Sequence, residues 1–299
     1  MSFFEKGYKV ALFIVIVICF SSPCVAQEQA RQSMTVDAGA VYFIRNNNLW
    51  VVDLKTKQER QITRDKKISS YCVSANGRLL AYFVDAEKLY LYDLIDNKEA
   101  FLAQIKTDLT NPSFSPKAEQ IVLIGYAAWV RHLWLLDIKT KKLTDLMPDS
   151  PYHHMFANWS PDGKWLSYTA FVNPWWTFFI DTDWETYLLD VLDNKRPSYK
   201  IGKGTQSQWL NKNTIIIARA NSLGVYNVQS RKLVKEYKAD DLSEFGDFTI
   251  ENTMETLFYV PSHDGEGVKK INVYDLKSQE QRELIIDATN PTYYLKANR

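Results

Sequence analysis

Histidine, cysteine and glycine are scarce in this chain of 299 residues, and each shortage closes off a class of chemistry. Four His and three Cys leave little for metal or thiol sites, and neither Cys-x-x-Cys nor His-Glu-x-x-His spacing occurs. Eleven Gly form no phosphate-cradling loop and no Gly-x-Ser-x-Gly nucleophile elbow. No cofactor, no metal and no catalytic residue is therefore expected. Charge of one sign is missing too: 36 basic residues face 35 acidic ones, and no long basic run stands out. That balance speaks against nucleic acid as a partner. The mean hydropathy of −0.29 excludes a multi-spanning membrane protein. What the chain does have is aromatics, 9 Trp, 17 Tyr and 15 Phe, which favour strands over helices.

The first 26 residues read as a secretory signal. Lys6 and Lys9 precede an apolar core, Val10 to Phe20, and Ser21 to Ala26 then places small residues at Cys24 and Ala26, as a signal peptidase requires. The core is short against the roughly 20 residues of a bilayer span. Cleavage after Ala26 is expected, with residues 27–37 as a short leader of the mature chain, a periplasmic or secreted location and no membrane span afterwards. The other reading of the same segment is an uncleaved anchor. After cleavage Cys72 is the one cysteine left, so no internal disulfide can form. In a strand-like run it reads as a small buried hydrophobe.

A repeat dominates the rest. An apolar run ending in Asp or Asn, followed by a polar turn, recurs six times: LWVVDLKTKQ from Leu49, LYLYDLIDNK from Leu89, LWLLDIKTKK from Leu133, TYLLDVLDNK from Thr186, LGVYNVQSRK from Leu223 and INVYDLKSQE from Ile271. The markers Asp53, Asp93, Asp137, Asp190, Asn227 and Asp275 are spaced for propeller blades of roughly 40–50 residues. A strand–turn–strand motif precedes most of them, clearest in FSPKAEQIVLIG from Phe114 and WSPDGKWLSYTA from Trp159. Pro followed by Asp-Gly suits a tight turn, since Pro fixes φ and Gly accepts positive φ. Each repeat thus predicts four short strands, A to D, in a meander.

These motifs resemble the β-propeller repeats of the TolB family, whose signature is a W-S-P-D-G-K-type turn followed by an I-Y-V-V-D-type strand. The resemblance spans about residues 38–299 and implies an all-β, six-bladed propeller of four-stranded antiparallel blades. It does not carry the TolB role in the envelope, because TolB has a separate α/β domain before its propeller and only residues 27–37 stand in that place here. The first repeat begins directly with strand B at Ala40. TNPTYYLKANR, from Thr289, aligns without gaps to TNPSFSPKAEQ, from Thr110. The C-terminus is therefore expected to supply the missing strand and close the first blade.

In such a meander the B–C and D–A connections share one face. Three long ones in repeats three and four, residues 126–132, 148–157 and 173–185, bring Trp129, Arg131, His132, Tyr152, His153, His154, Trp175, Trp176, Asp181, Asp183 and Trp184 to it. Three readings compete: loops that bury their own aromatics, a binding surface for a protein or glycan, and a His/Asp metal or catalytic site. Adjacent His153 and His154 point opposite ways in extended backbone and rarely share a metal. The favoured function is an exported, non-catalytic binding or scaffold protein for an envelope protein or glycan. Its rivals are a propeller lyase or hydrolase acting on sugar acids or oligosaccharides, and the sensor domain of a membrane-anchored regulator. The oligomeric state leaves no mark in the sequence.

Overall fold

The recurring Asp has a simple physical job. In every repeat its side-chain oxygen accepts hydrogen from the turn that follows, capping the end of the third strand: Asp53 Oδ1 takes the N–H of Lys55 (3.0 Å) and Thr56 (2.9 Å), and Asp275 Oδ1 those of Lys277 and Ser278. Asp93, Asp137, Asp190 and Asn227 repeat the pattern, so Asn serves as well as Asp. The Arg78 guanidinium beside Asp93, together with the N–H groups of Asp96 and Ile95, holds that carboxyl down at about 2. The Ser of the other motif works alike. Ser160 Oγ donates to Asp162 and accepts the Trp165 N–H, while Gly163 sits at φ 72°. Ser74, Asn76 and Gly77 build a sister turn.

The structure, a computed structural model, describes residues 39–105, 112–127, 129–171, 184–219, 222–238, 245–250, 256–261, 269–278 and 280–294. Among these, twenty-four strands form six four-stranded antiparallel blades. Blade 1 holds β1 (Ala40–Arg45), β2 (Asn48–Asp53) and β3 (Glu59–Gln61); blade 2 holds β4 (Ile68–Val73), β5 (Leu79–Val84), β6 (Lys88–Asp93) and β7 (Lys98–Gln104). Blade 3 holds β8 (Ser113–Phe114), β9 (Gln120–Ala127), β10 (Val130–Asp137) and β11 (Leu143–Asp145), and blade 4 holds β12 (His153–Trp159), β13 (Trp165–Phe171), β14 (Trp184–Asp190) and β15 (Ser198–Lys203). Blade 5 holds β16 (Gln206–Asn211), β17 (Thr214–Arg219), β18 (Ser222–Asn227) and β19 (Lys232–Lys238). Blade 6 holds β20 (Phe245–Ile250), β21 (Thr256–Pro261), β22 (Lys270–Asp275) and β23 (Gln281–Ile286).

The twenty-fourth strand, β24 (Thr289–Tyr294), returns to blade 1 and pairs antiparallel with β1, Ala40 opposite Tyr294 and Ile44 opposite Thr289. The closure expected from the C-terminal alignment is what the chain does. The inner strands β24, β4, β8, β12, β16 and β20 touch in sequence around the ring, and β20 meets β24. No central core exists. Instead, each pair of adjacent blades buries its own apolar layer, because a sheet buried on both faces must be apolar on both. Tyr42, Ile44 and Leu49 meet Tyr71, Leu80 and Tyr82 between blades 1 and 2, and Phe258, Val260 and Ile271 meet Val41 and Phe43 across the seam between blades 6 and 1. Cys72 lies in the layer between blades 2 and 3, where burial raises the pKa of its thiol. Residues 1–26, read above as a secretory signal, and residues 27–37 lie outside the described residues.

Four residues past the marker, the chain enters the left-handed region: Lys57 at φ 58°, Asn97 at 51°, Lys141 at 57° and Arg231 at 55°. Asn accepts that conformation best of the non-glycine residues. Exposed Lys57 does so at a cost, so Lys57→Asn should stabilise the ring by up to about 1 kcal/mol, read as a higher denaturation midpoint at unchanged slope.

Candidate binding face

Two buried histidines underlie the face between blades 3 and 4. His154, 1% exposed on β12, has Nδ1 3.0 Å from the Arg131 carbonyl and Nε2 3.1 Å from Ser150 Oγ. A carbonyl only accepts, so Nδ1 carries the hydrogen and Nε2 accepts from the Ser150 hydroxyl. Ser150 Oγ in turn accepts the Tyr152 N–H at 3.3 Å. The neutral ring is thus fully bonded, and burial pushes its pKa down to about 4. Its ring packs edge-on against Tyr168 (5.3 Å between centroids), which stacks on Tyr187 (5.6 Å). His132, 5% exposed on β10, donates from Nδ1 to Asp145 Oδ2 at 2.7 Å, and Asp145 Oδ1 receives the Met147 N–H.

Ser, His and Asp are all present in this layer, yet they do not form a relay. Asp145 orients His132, whereas Ser150 faces His154, whose own Nδ1 is bonded to a backbone carbonyl. A Ser-His-Asp triad needs acid and nucleophile on the two nitrogens of one ring. Beneath Tyr187, burial works against ionisation of Glu185, but the hydrogen bonds from Lys200 and Tyr187 outweigh it and hold the carboxyl below its ordinary range. These contacts make a stiff polar layer between two blades.

Above it lies a small aromatic surface. Trp129, in the β9–β10 turn, is 89% exposed, and Tyr152, ahead of β12, is 43% exposed. The Arg131 guanidinium sits over the Tyr126 ring at 5.6 Å, and the Arg131 N–H donates to His153 Nδ1 at 3.4 Å, tying the turn to β12. Of the residues singled out from the sequence, Trp129, Arg131, Tyr152 and His153 stand at the surface. His132 and His154 lie buried under it: His154 bonds across from blade 4 to blade 3, whereas His132 is held within blade 3 by Asp145. Trp184 is half-buried against Phe171, ring centroids 5.2 Å apart. Trp175, Trp176, Asp181 and Asp183 lie outside the described residues. Sequence reasoning missed Asp145, Ser150 and Tyr168, because their partners are set by strand register and by the course of the β11–β12 connection.

A cavity of about 270 Å³ lies on the ring axis, lined by residues from all six inner strands; among the described lining residues none is Lys, Arg, His, Asp or Glu. Among the described residues no three His, Cys, Asp or Glu side chains come together as metal ligands, and no helix is long and apolar enough to cross a membrane.

No protein-family model and no curated protein matches the chain. Solved structures do. TolB from Acinetobacter baumannii superposes with a TM-score of 0.67 at 16% identity, covering 90% of this chain and 70% of its own. A chain of the nidogen/laminin complex gives 0.65 at 8% identity, covering 86% of this chain and 99% of its own. An oligogalacturonate lyase in complex with manganese gives 0.53 at 13%, covering 79% and 69%. Likeness at such identities is likeness of fold, and the chain is thereby a six-bladed β-propeller of TolB-like architecture.

Proposed function

We propose that the chain is exported and works without catalysis, as a binding platform for an envelope protein or glycan that docks on the face around Trp129, Arg131, Tyr152 and His153. The observation that carries this reading is Trp129 itself. A blade needs only its four strands to pack in the ring, so an indole left 89% in water contributes nothing to that packing. Trp, Tyr and Arg over a rigid base are what binding hot spots are made of. The neighbour from the nidogen/laminin complex, a propeller found with a protein partner, supports the same use of the fold. Trp175 and Trp176, in the long connection between β13 and β14, are included in the proposed surface on the sequence reading alone.

The rival enzyme reading finds some support in the fold likeness to an oligogalacturonate lyase. A lyase or hydrolase of sugar acids needs cations for the substrate carboxylates and an acid–base pair, and the axial cavity offers neither among its described lining. Capture from the cell's own envelope fraction decides between surface and bystander. The bait should begin at Gln27 on N-terminal sequencing. The pair Trp129→Ala and Tyr152→Ala should leave the melting temperature nearly unchanged, as exposed substitutions do, and weaken capture about tenfold. Undiminished capture at unchanged stability would remove this face from consideration.

A further inference from the structure

The axial cavity carries a second site, independent of the Trp129 face. Its wall includes two glutamines on one strand, Gln206 and Gln208, two residues apart and so on the same side of β16. They are not equivalent. Gln208 is bound on both ends of its amide: Nε2 donates to Thr249 Oγ1 at 3.1 Å and Oε1 accepts the Ile250 N–H at 3.0 Å, which fastens blade 5 to blade 6. Gln206 pairs through its backbone with β17, but its side-chain amide has no hydrogen-bond partner among the described residues and leaves two donors and an acceptor at the cavity.

Facing elements of the wall are unusual in the same way. Phe156 sits at φ 52° where β12 bulges between Met155 and Asn158. A bulky residue in that region is a true outlier, kept only where its surroundings enforce it. Asn158 does the enforcing: its Nδ2 donates to the Phe156 carbonyl (3.3 Å) and to the Ser207 carbonyl of the next blade (3.0 Å). That leaves Asn158 Oδ1 as an acceptor beside the ring. Ser113 Oγ accepts the Trp159 N–H and keeps its own O–H to donate. Phe248, partly buried, adds a second aromatic residue to the wall.

We propose that this cavity binds a neutral sugar ring, free or as the end of a glycan. Hydroxyl groups that each donate and accept match the mixed set on Gln206, Asn158 and Ser113, and the C–H face of a pyranose packs on an aromatic ring such as Phe156. About 270 Å³ lies at the small end of ligand pockets, suited to one ring. Neutrality follows from the lining among the described residues, which holds no charged side chain. A carboxylate or phosphate taken off water here would meet no countercharge, and such burial is strongly unfavourable.

Saturation-transfer NMR on the mature full chain tests this, with glucose, galactose and N-acetylglucosamine as neutral probes and galacturonate as the anionic one. At least one neutral sugar should bind at millimolar concentration, and galacturonate should not. Gln206→Ala should weaken that binding about tenfold, the loss expected for a hydrogen-bonding side chain. It should leave the melting temperature unchanged, since Gln206 holds nothing in place. Phe156→Asn, which tolerates the same backbone, should weaken binding likewise, while Trp129→Ala should have no effect. Silence from all three neutral sugars, equal binding of galacturonate, or binding that survives Gln206→Ala would each overturn the proposal.

Discussion

Deleting the chain from Thr289 onward should cost the ring most of its stability. The deletion removes β24, and with it the inner edge of blade 1, whose ladder to β1 runs from Ala40 opposite Tyr294 to Ile44 opposite Thr289. It also removes the strand that stands between β20 and β4, so two neighbouring blades lose a contact at once. Each ladder hydrogen bond contributes about 1 kcal/mol, and the packing of blade 6 against blade 1 loses its inner edge with them. The sum is several kcal/mol, against a total of roughly 5–15 kcal/mol for a typical fold. Loss of closure reaches every blade, because each buries its faces only against its neighbours. The truncated protein should therefore melt far below the same protein with β24 intact and expose a free strand edge prone to association. A synthetic peptide of the β24 sequence should recover part of the loss. Equal stability without β24 would show that the ring is closed some other way.

Acid should unfold this propeller in a window set by His154. In the folded ring the imidazole stays neutral down to about 4, because burial opposes its charge. In the unfolded chain it takes a proton near its ordinary value of 6.5. Between these limits the unfolded state binds more protons, so stability is full above about pH 6.5 and falls as pH drops toward 4. The difference amounts to about 3 kcal/mol at its greatest. Below about 4 both states are protonated and the effect levels off, and carboxylates held low, such as Asp93 at about 2, then take over. His154→Gln keeps an amide donor and acceptor for the Arg131 carbonyl and Ser150 while removing the titration. Denaturant melts of both proteins from pH 7 to pH 4 should show a clearly flatter profile for the variant. An unchanged profile would place the acid sensitivity elsewhere.

How much of this was written in the sequence varies from element to element. The repeat phase was legible because Asp at a strand end and Ser-x-Asp-Gly at a turn are local devices: Asp53 caps residues two and three positions away, and Ser160 closes a turn five residues long. The closure was legible too, since Thr289 onward copies the sequence that introduces blade 3. The histidines were not. His132 and His154 look alike in a list of loop residues, but His132 is fixed by Asp145 and His154 by Ser150 and a carbonyl 23 residues away. Those partners are chosen by strand register across two blades, which no short motif encodes. The same holds for Gln206 and Gln208, identical in kind and separated only by which of them meets Thr249.

The central claim, a platform that binds through one face, is tested most directly by photo-crosslinking in living cells. A photoreactive phenylalanine analogue replaces Trp129 in one strain, and in another replaces Lys195, exposed in the β14–β15 turn, which meander topology assigns to the opposite face. A discrete crosslinked product is expected from position 129 and none from position 195. A product only from position 195, or none from either, would contradict it.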